Sequence, residues 1–84
     1  MPITFDRIAG LRLRDVRERC GYTQRELALA LHVTPSLITH WEKGRTRLTV
    51  ARIDELARSL HVTPAVLRMM PGEPLGQQCA RRKA

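Results

Sequence analysis

Aromatic side chains are almost missing: one Phe, one Trp and one Tyr among 84 residues. Long β-branched and aromatic runs are missing too, which counts against a sheet and leaves helices packed through Leu, Ile, Val and Ala. No apolar run is long enough to span a bilayer, so a membrane role is set aside. The N-terminus turns polar within a few residues and shows no signal peptide, so a cytoplasmic protein is expected. Cysteine is scarce, with only Cys20 and Cys79. In that compartment two cysteines are not expected to form a disulfide framework, and Cys20 reads as a small core residue. Acidic residues are the minority sign: 8 Asp and Glu against 15 Lys and Arg, for a net charge of +7. Thirteen of those 15 cations are arginine, whose planar fork suits phosphates and base edges. The partner is expected to be anionic, nucleic acid first and an acidic protein surface second. Paired carboxylates, a nucleophile beside a base, a phosphate loop and a metal-ligand cluster are all lacking. No enzyme, cofactor or metal is expected.

What is present centres on Thr23 to Lys43. Thr23 and Glu26 have the spacing of a capping box that opens a helix. Leu27, Ala28 and Leu31 come next at helical period. A second start comes at once: Thr34 is placed to cap, and Pro35 suits the first helical position, where its missing N–H costs nothing. Ile38 and Trp41 continue an inward face from Val33, and Gly44 ends the helix. Helices joined by so few residues must cross steeply, with a small residue, Ala28, at the contact. The result is a helix-turn-helix. Its second helix leaves Ser36, Thr39 and His40 facing out, the kind of side chains that major-groove reading uses.

The chain also resembles the phage-repressor and Cro-like helix-turn-helix regulators, the XRE family. The resemblance rests on Leu13-Arg14-Asp15-Val16-Arg17, Gly21 to Ala28, Val33 to Ile38 and Trp41-Glu42-Lys43-Gly44. It continues through Ile53 to Ala57 and Leu60-His61-Val62. It covers roughly residues 8 to 70. It implies that Arg17 and Glu42 form an ion pair tying the first helix to the end of the recognition helix. It implies that Gln24 donates to a DNA phosphate, and that Thr34, Pro35, Ser36, Thr39 and His40 meet the major groove. The Thr39 methyl and Pro35 can touch a thymine methyl, and His40 can donate to a purine acceptor. The family usually places glycine where this chain has His32, because the backbone there takes positive φ. Histidine is among the residues that tolerate it. A metal role for His32 is set aside, since no cysteine or carboxylate stands at suitable spacing.

Around this centre the chain reads as five helices. The first runs from a cap at Thr4 to about Arg19, with Phe5, Ala9, Leu13, Val16 and Cys20 inward. Arg12, Arg14, Asp15, Glu18 and Arg19 are its expected solvated side. Lys43, Arg45, Thr46 and Arg47 make a cationic strip expected to meet phosphates. Thr49 caps a fourth helix with Ile53, Leu56, Ala57 and Leu60 inward. Thr63-Pro64 opens a fifth, ended by Pro71-Gly72-Glu73-Pro74. The stretch Glu26 to Pro35 is echoed at Glu55 to Pro64; only the first copy continues into polar outward positions. The second continues into apolar ones, and Val66, Met69 and Met70 are expected at a homodimer interface. The expected fold is therefore all-α: a compact five-helix, phage-repressor-like DNA-binding domain over 1–72, then a flexible basic tail over 73–84. The expected function is sequence-specific double-stranded DNA binding, as a repressor. The alternative is a protein-interaction module on the same fold, antitoxin-like, using its basic surface.

Overall fold

A computed structural model describes residues 5–75, Phe5 by its backbone alone. The expected Thr4 cap, the inward Phe5 side chain, Cys79 and the basic tail end lie outside that description. Five helices follow in order: α1 Phe5–Arg19, α2 Gln24–Leu31, α3 Pro35–Glu42, α4 Val50–Leu60 and α5 Pro64–Leu67. Among the described residues no helix is long and apolar enough to cross a membrane.

The start signals act as the local chemistry requires. Thr23 Oγ1 accepts from Glu26 N at 3.0 Å, and Glu26 Oε1 accepts from Thr23 N at 3.0 Å, closing the capping box. Thr34 and Thr49 cap α3 and α4 by accepting from Leu37 N and Arg52 N, each at 3.2 Å. Each such cap contributes about 1 kcal/mol. His32 ends α2 at φ 60°, in the left-handed region.

The inward faces meet in one core: Leu13, Val16 and Cys20 from α1's side, Leu27 and Ala28, Ile38 and Trp41, Leu56, Ala57 and Leu60, and Leu67. Ala28 is buried, as a small residue at a helix contact is expected to be. Cys20 is fully buried, but it is disulfide-bonded. That overturns the expectation that cysteines in this chain would not pair.

Two features of α1 depart from the sequence pattern. Arg12 belongs to the interior, not to the solvated side: it is 0% exposed. Its Nε donates to Val66 O at 2.8 Å, and its Nη1 donates to Asp15 Oδ2 at 2.8 Å and Glu73 O at 2.9 Å. A buried guanidinium is tolerated because these acceptors replace the water it loses. Arg19 adds a bond to Glu73 O at 2.9 Å, and Asp15 accepts from Gly72 N at 2.9 Å. The segment after α5 is thus strapped to α1, and Leu75 packs on the core. The strapped structure therefore runs past residue 72. The second feature is Gly10, where α1 touches the end of α3. A Cβ there would overlap the Trp41 carbonyl oxygen and come within 2.7 Å of Glu42 O. A Cβ on Gly44, at φ 74°, would likewise come within 2.7 Å of the Arg7 Cα.

Candidate nucleic-acid interface

The first turn of α2, the last turn of α3 and the C-terminal half of α1 converge on one buried carboxylate. Arg17 Nε donates to Glu42 Oε2 at 2.6 Å, and its Nη2 donates to Glu42 Oε1 at 3.2 Å. Arg17 Nη1 also donates to the Tyr22 carbonyl at 2.8 Å. Both partners are buried, Arg17 at 8% and Glu42 at 5% exposure. The pair therefore orients three elements; buried charge pairs add little net stability, but removing one partner is costly.

Gln24 extends this web. Its Nε2 donates to Glu42 Oε1 at 2.9 Å, and its Oε1 accepts from Thr39 Oγ1 at 3.0 Å. The amide is held at the mouth of the groove between α1, α2 and α3, with one N–H left for an external acceptor. Thr39 is half-buried rather than fully outward, because its hydroxyl is turned to Gln24 and to the Pro35 carbonyl, 3.2 Å away. Its methyl is what remains to present.

The rest of the α3 set is open. Thr34, Pro35, Ser36 and His40 are exposed, while Ile38 and Trp41 of the same helix are buried. The cationic loop comes close behind: Arg45 N donates to His40 O at 2.9 Å, which folds the loop back onto the last turn of α3. Lys43, Arg45, Thr46 and Arg47 are all exposed. Arg47 stands 3.7 Å from Asp6 and is 79% exposed, so that pairing is loose. Lys43 shares a groove wall with Gln24 and Thr39 and another with Arg45, which brings those four side chains to adjoining grooves.

The residues expected at a dimer interface divide. Val66 is in the core at 3% exposure, drawn in where Arg12 holds its carbonyl, and offers no surface. Met69 and Met70 are exposed, beside an apolar cleft lined by Ile8, Ile53 and Leu67. Among the described residues no cluster of three or more His, Cys, Asp or Glu could hold a metal ion. Arg14, read in the sequence as part of α1's solvated side, lines both grooves with Lys43, and Arg7 lines one of them. Their seven-residue spacing along one helix face was the available signal.

Residues 13–67 match the helix-turn-helix family model HTH_3. The clp gene regulator ClgR from Corynebacterium glutamicum is 28% identical, with a TM-score of 0.74 over 77% of this chain and 83% of that one. The restriction-modification controller protein C.AhdI from Aeromonas hydrophila is 30% identical, with a TM-score of 0.68 over 73% of this chain and 92% of that one. FeII HppE in complex with substrate is 27% identical with a TM-score of 0.68, but this chain covers only 36% of it. No curated protein sequence matches the chain. The family match, and regulators similar over most of their length, set this chain apart from enzymes. The chain belongs to the XRE-type helix-turn-helix family of DNA-binding transcription regulators.

Proposed function

We propose that this protein binds double-stranded DNA sequence-specifically, with α3 in the major groove from Pro35 onward, and that it represses transcription. The observation that carries the reading is the shared face. Ser36 and His40 are exposed on a helix whose last turn is flanked by Lys43, Arg45 and Arg47. An α-helix about 10–12 Å across fits a major groove about 12 Å wide. Ser36 and His40 meet base edges, with Thr34 and Pro35 at the leading end. Gln24, Lys43, Arg45, Thr46 and Arg47 meet phosphates. No Arg–guanine or Gln–adenine fork is available from α3, so readout leans on contacts to thymine methyls and on DNA shape. Occupying a promoter is enough to repress, and the likeness to ClgR and C.AhdI supports a regulatory role.

One small domain reaches few phosphates. A homodimer doubles them and suits half-sites about one helical turn, roughly 34 Å, apart. Exposed Met69 and Met70 beside the apolar cleft support that assembly. Sedimentation giving a monomer both free and on DNA would remove it.

The decisive experiment is selection of bound duplexes from a random pool, followed by titration of the winner across salt. Enrichment of a paired motif is expected, with log K falling steeply against log salt, about 0.9 per phosphate contacted. No enrichment and a flat salt response would instead favour an acidic protein partner on the same basic surface.

A further inference from the structure

The arginines of α1 divide by task. Arg12 and Arg19 hold carbonyls of the segment after α5 and share Asp15. Arg17 is taken up by Glu42 and the Tyr22 carbonyl. Arg7 and Arg14 stay on the exposed side. Seven residues apart, they lie on one stripe about 10.5 Å apart along the helix axis.

That stripe borders two grooves. One is walled by Arg14, Gln24, Thr39 and Lys43; the other by Arg7, Leu11, Arg14, Lys43 and Arg45. Arg14, Glu42 and Lys43 line both, so the two are one trough. Glu42 is the sole carboxylate in its lining, and both of its oxygens already accept from Arg17 and Gln24. Arg14 pairs with Glu18 at 3.2 Å, with the two side chains 60% and 54% exposed. An exposed pair of that kind contributes little and yields readily to a phosphate, which an arginine fork grips more strongly. A line of cations, lacking uncommitted negative charge and starting beside the exposed face of α3, matches a polyanion with regularly repeated charge.

We infer that this trough is a seat for the DNA backbone, and that Arg14 and Arg7 make α1 a phosphate-gripping element beyond Gln24 and the loop after α3. The inference rests on the DNA-binding reading above. The test is the salt dependence of binding to one fixed duplex, for the whole chain and for Arg14→Gln, Arg7→Gln, Lys43→Gln and Arg19→Gln. Arg19 serves as the reference: it sits on α1 but outside the trough. Circular dichroism confirms folding of each variant.

Arg14→Gln and Arg7→Gln should each lower the slope of log K against log salt by about 0.9 per protomer, an affinity loss of about eightfold for each decade of salt below 1 M. Arg19→Gln should leave the slope unchanged. Wild-type slopes in Arg14→Gln and Arg7→Gln, alongside a lowered slope in Lys43→Gln, would overturn the trough and leave DNA binding standing. An equal drop in Arg19→Gln would mean bulk charge alone is at work, and overturns it too. A flat response in the unaltered chain would remove the DNA reading itself.

Discussion

The segments Glu26–Pro35 and Glu55–Pro64 are the same turn built twice. His32 and His61 end their helices at φ 60° and 61°. Val33 N and Val62 N donate to Ala28 O and Ala57 O, both at 3.0 Å. Thr34 and Thr63 then take extended backbone, and a proline opens the next helix in each case. The outcomes diverge from there. The helix after Thr34 runs eight residues and shows Ser36 and His40 to solvent; the helix after Thr63 runs four. Thr34's hydroxyl caps its helix, and that cap bond has no counterpart at Thr63. Arg12 takes the Val66 carbonyl, and Pro71 disfavours helical backbone at Met70. One arm keeps an exposed polar face while its echo is strapped down. A local turn sets the angle between two helices. The residues downstream of it, and the donors that α1 offers them, set its use.

The two arginine anchors test that division most strongly. Arg17→Met and Arg12→Met should each cost about 3–5 kcal/mol in denaturant unfolding, because each leaves buried acceptors unmatched. They should differ in binding. Arg17→Met is expected to weaken DNA affinity of the folded protein, since Glu42 and Gln24 lose their orientation. Arg12→Met should leave that affinity nearly intact, since it frees only the α5 side. Equal effects on affinity would erase the contrast.

Next in size is Gly10→Ala. A methyl pressed against the carbonyls of Trp41 and Glu42 should cost about 1–3 kcal/mol by thermal unfolding. It should also weaken DNA binding, because the displaced end of α3 carries the site.

Ser36→Ala and His40→Ala sharpen the comparison at the bases. Each should lose about 1 kcal/mol of discrimination between the selected and a scrambled duplex, read by competition binding. Met69→Ala, on the echo, should lose none. Loss of discrimination at Met69 but not at His40 would place reading on the wrong arm.

The smallest effect is the most symmetrical. His32→Gly and His61→Gly should each relieve left-handed strain, raising stability by roughly 0.5–1 kcal/mol after glycine's extra unfolded entropy is subtracted. Unequal gains in matched melts would show that the two turns are not the same device.

Much of this is legible residue by residue. Thr23, Glu26, Thr34, Pro35 and Thr49 act on backbone groups within four positions, so spacing alone reveals them. Inward faces such as Leu27, Ile38, Trp41 and Leu56 show as helical period. The burial of Arg12 cannot be read that way. A charged residue on a helix looks solvated unless its acceptors are known, and Val66 O and Glu73 O stand 54 and 61 residues away. Val66 reads as a surface residue and is instead buried in the core, for the same reason. Thr39 looks outward by period, but its hydroxyl finds Gln24 across the turn. The pairing of Cys20 and the need for Gly10 likewise depend on neighbours that no local pattern names.

By itself, the sequence determined where helices start and stop, which stripes are apolar, and that the surface is cationic; the left-handed turn at His32 was implied by the family resemblance. Those are short-range matters of hydrogen-bond capping, backbone sterics and composition. Only the tertiary structure decided which arginines are buried anchors and which lie exposed along a groove, that α1 rests on α3 through a bare glycine, and that one of two like turns leads into a helix with an exposed polar face. Those outcomes arise from desolvation and close packing, which act between groups the chain brings together only once it has folded.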